Sequence, residues 1–279
     1  MTTGRFGYLL RTSRPRFWLY LAGPVAVGVV YGARSTAALF TPTTLALFGY
    51  FLVPANVLLY GVNDVFDADV DAENPKKKRR EVRYGGGRLV PGAVGLSAAL
   101  AGVPLLVTPR LAWPWLAGFL LLGVAYSAPP LRLKTRPPLD SVSNGLYVLP
   151  GAAAYAAVAG SQPPLLGIAG GWLWSMAMHT FSAIPDIDPD RRAGIETTAT
   201  RLGERRTYAY CMACWTLAAV AFALLDVRLG LLLGLYPVAV AAVAASDVDA
   251  SRAYWWYPAL NTAVGTLLTM GGLWRLLYG

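Results

Sequence analysis

Two stretches of this sequence concentrate carboxylates at an interval that suits a metal ion. One is Asn63-Asp64-Val65-Phe66-Asp67-Ala68-Asp69-Val70-Asp71, and the other is Asp186-Ile187-Asp188-Pro189-Asp190. Asn63, Asp67 and Asp71 recur every four residues, hence on one slowly drifting helix face, and Asp186 and Asp190 repeat the interval. Like charges so spaced repel one another unless a cation lies between them. Oxygen-only donors suit Mg²⁺ or Ca²⁺ rather than a softer metal. A calcium loop of the EF-hand kind is excluded. Ala72 stands where that loop needs glycine and Lys78 where it needs a bidentate glutamate, and the second cluster fails with Arg191 and Thr197. Mg²⁺ takes few carboxylates and completes its shell with phosphate oxygens. Acidic clusters ringed by lysine and arginine therefore fit a diphosphate held through metal ions and clamped by cations.

The elements that must position these residues are membrane helices. Apolar residues make up 56% of the 279 and charged residues 14%, against roughly 25% charged in an ordinary soluble domain. Apolar runs of spanning length recur throughout, and the sequence predicts spans near 15–32, 42–63, 89–108, 111–128, 141–160, 164–185, 206–225, 228–246 and 255–277. Sidedness follows from the basic residues. With alternating loops, all 24 except Arg34, Arg110, Arg228 and Arg275 fall on one face. The positive-inside rule makes that face cytoplasmic, with the N-terminus inside and the C-terminus outside; an even number of spans would destroy the split. The fold expected is thus an all-α, polytopic membrane protein of about nine transmembrane helices. It forms one domain over residues 1–279, in the cell (plasma) membrane.

Both acidic clusters lie at cytoplasmic span ends, after spans two and six. A membrane transporter is disfavoured, because the spans themselves are nearly free of charge. Nucleic-acid binding is disfavoured too, since the basic residues follow the topology rather than forming a soluble basic face. Cys211 and Cys214 form a C-x-x-C inside an apolar run and read as helix packing. Pro185 and Pro189 should end or kink the sixth span around Asp186. His179, the only histidine, lies two turns before Asp186 and reads as packing or as a pocket group.

At these residues the sequence resembles the UbiA superfamily of intramembrane prenyltransferases. The family pattern N-x-x-x-D-x-x-x-D is met by Asn63, Asp67 and Asp71. The pattern D-x-x-x-D with a downstream Gly and Thr is met by Asp186, Asp190, Gly194 and Thr197. A third element, a Tyr followed by a Pro pair and a basic residue, is met by Tyr126-Ser127-Ala128-Pro129-Pro130-Leu131-Arg132-Leu133-Lys134. The stretches "DVFDADVDAENPKKKRREVRY" and "FSAIPDIDPDRRAGIETTATRLG" look most like the carotenoid branch, of lycopene elongase type. In the quinone and lipid branches an Arg-Pro-Leu segment follows the first cluster; here Arg83-Tyr84-Gly85-Gly86-Gly87-Arg88 takes its place.

The resemblance implies helices around a central cavity opening near the cytoplasmic face. It implies Mg²⁺-dependent transfer of a prenyl group, C5 dimethylallyl in the carotenoid branch, from an allylic diphosphate to a lipophilic acceptor such as lycopene. Asn63, Asp67 and Asp71 would hold one Mg²⁺ and Asp186 and Asp190 a second. Arg14, Arg132 and Lys134 would clamp the diphosphate, and Tyr126 would donate to it or face the developing cation. Trp172, Trp174 and Phe181 are candidates to line a dry, electron-rich cavity. Other superfamily acceptors are an aromatic quinone precursor, a tetrapyrrole or a lipid alcohol. The resemblance also leaves room for a membrane partner subunit.

Overall fold

The computed structural model describes residues 4–68 and 84–279; Asp69, Asp71 and the basic stretch 76–83 lie outside them. Every regular element among the described residues is helical. In chain order these begin with α1 (Arg5–Thr12), α2 (Trp18–Gly32), α3 (Pro42–Leu52), α4 (Pro54–Phe66), α5 (Leu89–Leu100) and α6 (Gly102–Val107). Next come α7 (Trp113–Ser127), α8 (Leu139–Val142), α9 (Leu149–Ala159), α10 (Leu165–Ser182) and α11 (Ile187–Arg192). The chain continues through α12 (Thr198–Leu202), α13 (Glu204–Ala223), α14 (Val227–Leu233), α15 (Leu235–Ala244) and α16 (Ala250–Tyr278). Apart from α1, α11 and α12, they overlap stretches predicted to span, several of which are broken into two pieces. Pro42–Phe66, Leu89–Val107, Leu139–Ala159 and Val227–Ala244 are long and apolar enough to cross a bilayer by length and composition. Leu106, Leu165 and Leu231 are between 73% and 87% exposed, as suits side chains that face lipid.

The chain forms two compact units, Met1–Leu131 with Pro150–Ser161, and Arg132–Leu149 with Gln162–Gly279. In the first, α3 starts at Thr41, whose hydroxyl caps the Thr44 amide, with Pro42 pre-set at the first helical position. Pro54 then interrupts the run, because it lacks an N–H and its ring clashes with the preceding turn. The break is stitched from below: the Asn56 amide donates to the carbonyls of Phe51 and Leu52, both at 3.0 Å. Proline breaks in membrane helices persist where side chains re-satisfy freed carbonyls in this way. α2 and α9 cross at backbone contact. A methyl on Gly28 would meet the Gly151 carbonyl oxygen at 2.1 Å, and one on Gly32 the Tyr155 carbonyl oxygen at 3.0 Å. Small residues one turn apart are what allow such a crossing in lipid.

In the second unit α10 packs along α13, and the core is aromatic. Phe181, Trp215 and Tyr236 are fully buried, and Tyr257 nearly so. Trp215 stacks on Tyr236 at 5.5 Å and on Tyr257 at 5.8 Å, offset geometries that add to plain burial. The Tyr236 hydroxyl donates to Asn261 of α16 at 2.8 Å. Gly145 admits the Trp172 ring, which would overlap any Cβ there. As expected of packing residues, Cys211 and Cys214 are free thiols and buried.

Candidate active site

Asn63 occupies the last turn of α4 and Asp67 follows directly as its C-cap. The Asn63 side-chain nitrogen donates to the Ser127 hydroxyl at 3.1 Å. Ser127 is buried at the end of α7 and follows Tyr126, so the first and third motifs meet here. An amide that spends its nitrogen on Ser127 turns its carbonyl oxygen the other way, and an oxygen is the atom a hard cation needs. Asp67 is half-buried. Asp71 lies outside the described residues, so the first oxygen set is described in part.

The acid beside this face has another task. Asp64 is 4% exposed and receives the Arg14 guanidinium at 3.1 Å. Arg14 also lies over the Tyr60 ring, 4.5 Å from its centroid, and takes a left-handed backbone, φ 50°. That turn folds α1 back onto α4. Burial, and then the Asp64 carboxylate and Tyr84, push the Tyr8 phenol above its ordinary pKa. Arg14, expected to clamp the diphosphate, is thus engaged with a buried carboxylate one residue from Asn63.

In the second unit Pro185 ends α10, as expected, because it cannot supply the amide of the next turn. Asp186 closes the 3₁₀ turn Ile184–Asp186 and stands at the N-cap of α11, while Asp190 lies within α11. Carboxylates at a helix start are favoured by its dipole. After α11 the chain reverses at Gly194, φ 68°, a left-handed conformation that favours glycine, and the Ile195 amide donates to the Asp190 carbonyl at 2.9 Å. Asp188 is exposed and lies 4.0 Å from Arg191.

The third motif straddles the two units. Tyr126 ends α7 in the first, whereas Arg132 and Lys134 open the second. Arg132 is left-handed, φ 41°, and precedes the 3₁₀ turn Leu133–Thr135, whose Thr135 hydroxyl donates to its carbonyl at 3.1 Å. Tyr126, Arg132 and Lys134 are all half-buried.

Among the described residues no three His, Cys, Asp or Glu converge on a metal site. The donors present are nonetheless sparse and all oxygen: Asn63 and Asp67 in one unit, Asp186 and Asp190 in the other. That chemistry fits Mg²⁺, which takes one or two carboxylates from a protein and leaves room for phosphate oxygens.

The three aromatics expected to line a cavity, Trp172, Trp174 and Phe181, all make structural contacts. Phe181 is sealed among Tyr208, Trp215 and Tyr257. Trp172 donates to the Val142 carbonyl at 2.8 Å. Trp174 meets Tyr236 edge-on at 5.5 Å. A 3.6-residue period identifies inward faces, but which inward faces stay open depends on how helices pack. His179 sits in the last turn of α10. The sequence analysis assigns no role of their own to two acids, Asp64 within the first cluster and Asp140, which are 4% and 1% exposed. Their signal was present, since each is an acidic residue at the end of an apolar run, where an ionisable side chain requires a partner.

The sequence matches the UbiA prenyltransferase family over residues 21–272. It is 65% identical to a Haloferax volcanii protein named lycopene elongase/hydratase over 275 residues, covering 99% of this chain and 91% of that one. It is 60% identical to a Halobacterium salinarum protein of the same name over 274 residues, covering 98% and 100%. The structure resembles that of a UbiA homolog from Archaeoglobus fulgidus bound to DMAPP and Mg²⁺, with a TM-score of 0.77 over 98% of this chain and 100% of the other, at 19% identity.

Proposed function

The chain belongs to the UbiA prenyltransferase family and is a membrane prenyltransferase, and we propose that it transfers a C5 dimethylallyl group from its diphosphate to a carotenoid such as lycopene. The observation that carries this acceptor is the likeness, along nearly the whole chain, to relatives named lycopene elongase/hydratase. The donor class is supported by the Archaeoglobus homolog, which binds DMAPP with Mg²⁺.

In this reading Asn63, Asp67 and Asp71 hold one Mg²⁺, and Asp186 and Asp190 a second. When bound, the metal neutralises the diphosphate and stabilises the charge gathering on it as it leaves. Lys134 and Arg132 bring cations to the phosphate oxygens. Arg14 joins them, and by pairing with Asp64 it also cancels a carboxylate that would otherwise repel the diphosphate. Tyr126 donates its hydroxyl to the leaving group, or turns its ring to the allylic cation. The C1–O bond breaks with its electron pair on the diphosphate, and the terminal double bond of the carotenoid attacks C1. The tertiary cation left on the acceptor loses a proton to give an alkene, or takes up water and loses a proton to give an alcohol. Water exclusion before that point protects the allylic cation. We place nine spans in the plasma membrane, with the acidic clusters, the N-terminus and the cavity mouth at the cytoplasmic face and one functional domain over residues 1–279.

The test is incubation of the lipid-reconstituted protein with Mg²⁺, dimethylallyl diphosphate and lycopene, with Asp67→Ala alongside. C45 and C50 products that vanish in the variant are expected. Transfer to an aromatic acceptor but none to lycopene would overturn the carotenoid assignment and leave the prenyltransferase chemistry standing.

A further inference from the structure

Asp140 opens α8 and is 1% exposed, yet neither oxygen faces a cation among its described partners. One carboxylate oxygen accepts from the Thr198 amide at 2.8 Å and the other from the Thr198 hydroxyl at 2.5 Å. Its backbone is held equally well. The Asp140 amide donates to the Arg136 carbonyl at 3.2 Å, and the Asp140 carbonyl accepts from Asn144 at 2.6 Å. Asp140 therefore ties the segment that carries Arg132 and Lys134 to the first turn of α12.

α12 is in turn tied to the second acidic cluster. Thr197 and Thr200 cap its start reciprocally. Thr198, Ala199 and Thr200 are buried. The Arg191 guanidinium donates twice to the Thr200 carbonyl, at 2.8 and 3.3 Å. Arg191 adjoins Asp190, and the backbone from Asp190 to Ile195 closes on itself through the Ile195 amide. Hydrogen bonds and short backbone steps thus alternate from Asp140 through Thr198 and Thr200 to Arg191, the neighbour of Asp190.

We propose that Asp140 is a positioning residue for diphosphate binding: through Thr198 and α12 it fixes the setting of Asp190, and holds the Arg132–Arg136 turn in register with it. The proposal rests on the diphosphate reading above. A cap alone needs only one acceptor for one amide. A buried carboxylate that takes both the amide and the hydroxyl of one threonine fixes that residue in rotation as well as position. Partners one shell removed from metal ligands act in this way, by orienting them.

The test uses the full chain in lipid, with trypsin cleavage after Arg192 as the readout and Mg²⁺ with inorganic pyrophosphate as the probe. Asp140→Asn and Thr198→Val should each speed metal-free cleavage several-fold, and should raise the Mg²⁺ concentration that half-protects the site about tenfold. The double variant should match the worse single variant, since both cut the same connection. Thr198→Ser, which keeps the hydroxyl, should behave as the parent. Faster cleavage with an unchanged Mg²⁺ requirement would reduce Asp140 to a fold-stabilising group and overturn the proposal, as would strictly additive effects. A parent protein that Mg²⁺ and pyrophosphate fail to protect at any concentration sinks the diphosphate reading, and the positioning role with it.

Discussion

A buried carboxylate one position from a motif residue is a hazard unless it is neutralised, and Asp64 illustrates how this chain manages it. Its guanidinium partner, Arg14, comes from a left-handed turn 50 residues earlier and is itself braced by the Tyr60 ring. Removing one member of a buried pair costs far more than removing both, because the survivor is left unpaired in a poorly solvating place. Arg14→Ala should therefore lower unfolding stability by about 3 kcal/mol, and adding Asp64→Asn should recover much of that loss. Denaturant titration in a mild detergent checks it. If the double variant is instead less stable than Arg14→Ala, the pair is not the reason for the loss. The motif spacing made Asn63 and Asp67 legible, but the partner of Asp64 was not. Arg14 is expected to clamp the diphosphate, and its pairing with Asp64 is a second use of the same cation that only the fold reveals.

At the scale of elements, the long apolar helices were readable from run length, whereas the interruptions and the short helices α1, α11 and α12 were not. Pro54 announces a break, yet Asn56 keeps the two halves together by capping the carbonyls of Phe51 and Leu52. Ala101 and Gly234 divide two further runs. The crossing of α2 and α9 depends on glycines at the contact line, and not every glycine in α2 serves it. Gly28→Ala drives a methyl into the Gly151 carbonyl and should destabilise by about 2 kcal/mol, the ordinary cost of overpacking. Gly23→Ala, where a methyl meets nothing within 4 Å, should be neutral or slightly stabilising. Thermal unfolding of the two variants in the same detergent separates a contact effect from a helix-propensity effect. Equal losses would mean that the close approach is not what Gly28 provides.

Across the whole molecule, the asymmetry of basic residues remains the strongest guide to orientation. Arg34, Arg110, Arg228 and Arg275 fall in segments predicted to lie outside, and the other basic residues within. Reporter fusions at each terminus should place the N-terminus in the cytoplasm and the C-terminus outside. Both termini on one side would require an even number of spans and would remove the nine-span topology. Several helices beyond the four long apolar stretches are short or rich in Trp and Tyr, such as α2 with 15 residues. A helix of that length extends about 22 Å, less than the roughly 30 Å of hydrocarbon, so flanking turns must complete any crossing.

Composition, run length and the spacing of Asn63, Asp67, Asp186 and Asp190 determined the class of protein, its helices and the oxygen chemistry of its clusters. These properties are local: each depends on residues within a few turns of one another, where periodicity and charge leave little freedom. Tertiary structure decided the pairing of Arg14 with Asp64, the grip of Asp140 on Thr198 and the burial of Phe181 among aromatics. Those contacts join residues 50 or more positions apart, or depend on which face of a uniformly apolar helix turns inward. Sequence periodicity carries almost no signal there, because in α7 and α9 apolar residues surround nearly the whole helix. Lipid and protein interior ask for the same side chains, and only packing tells them apart.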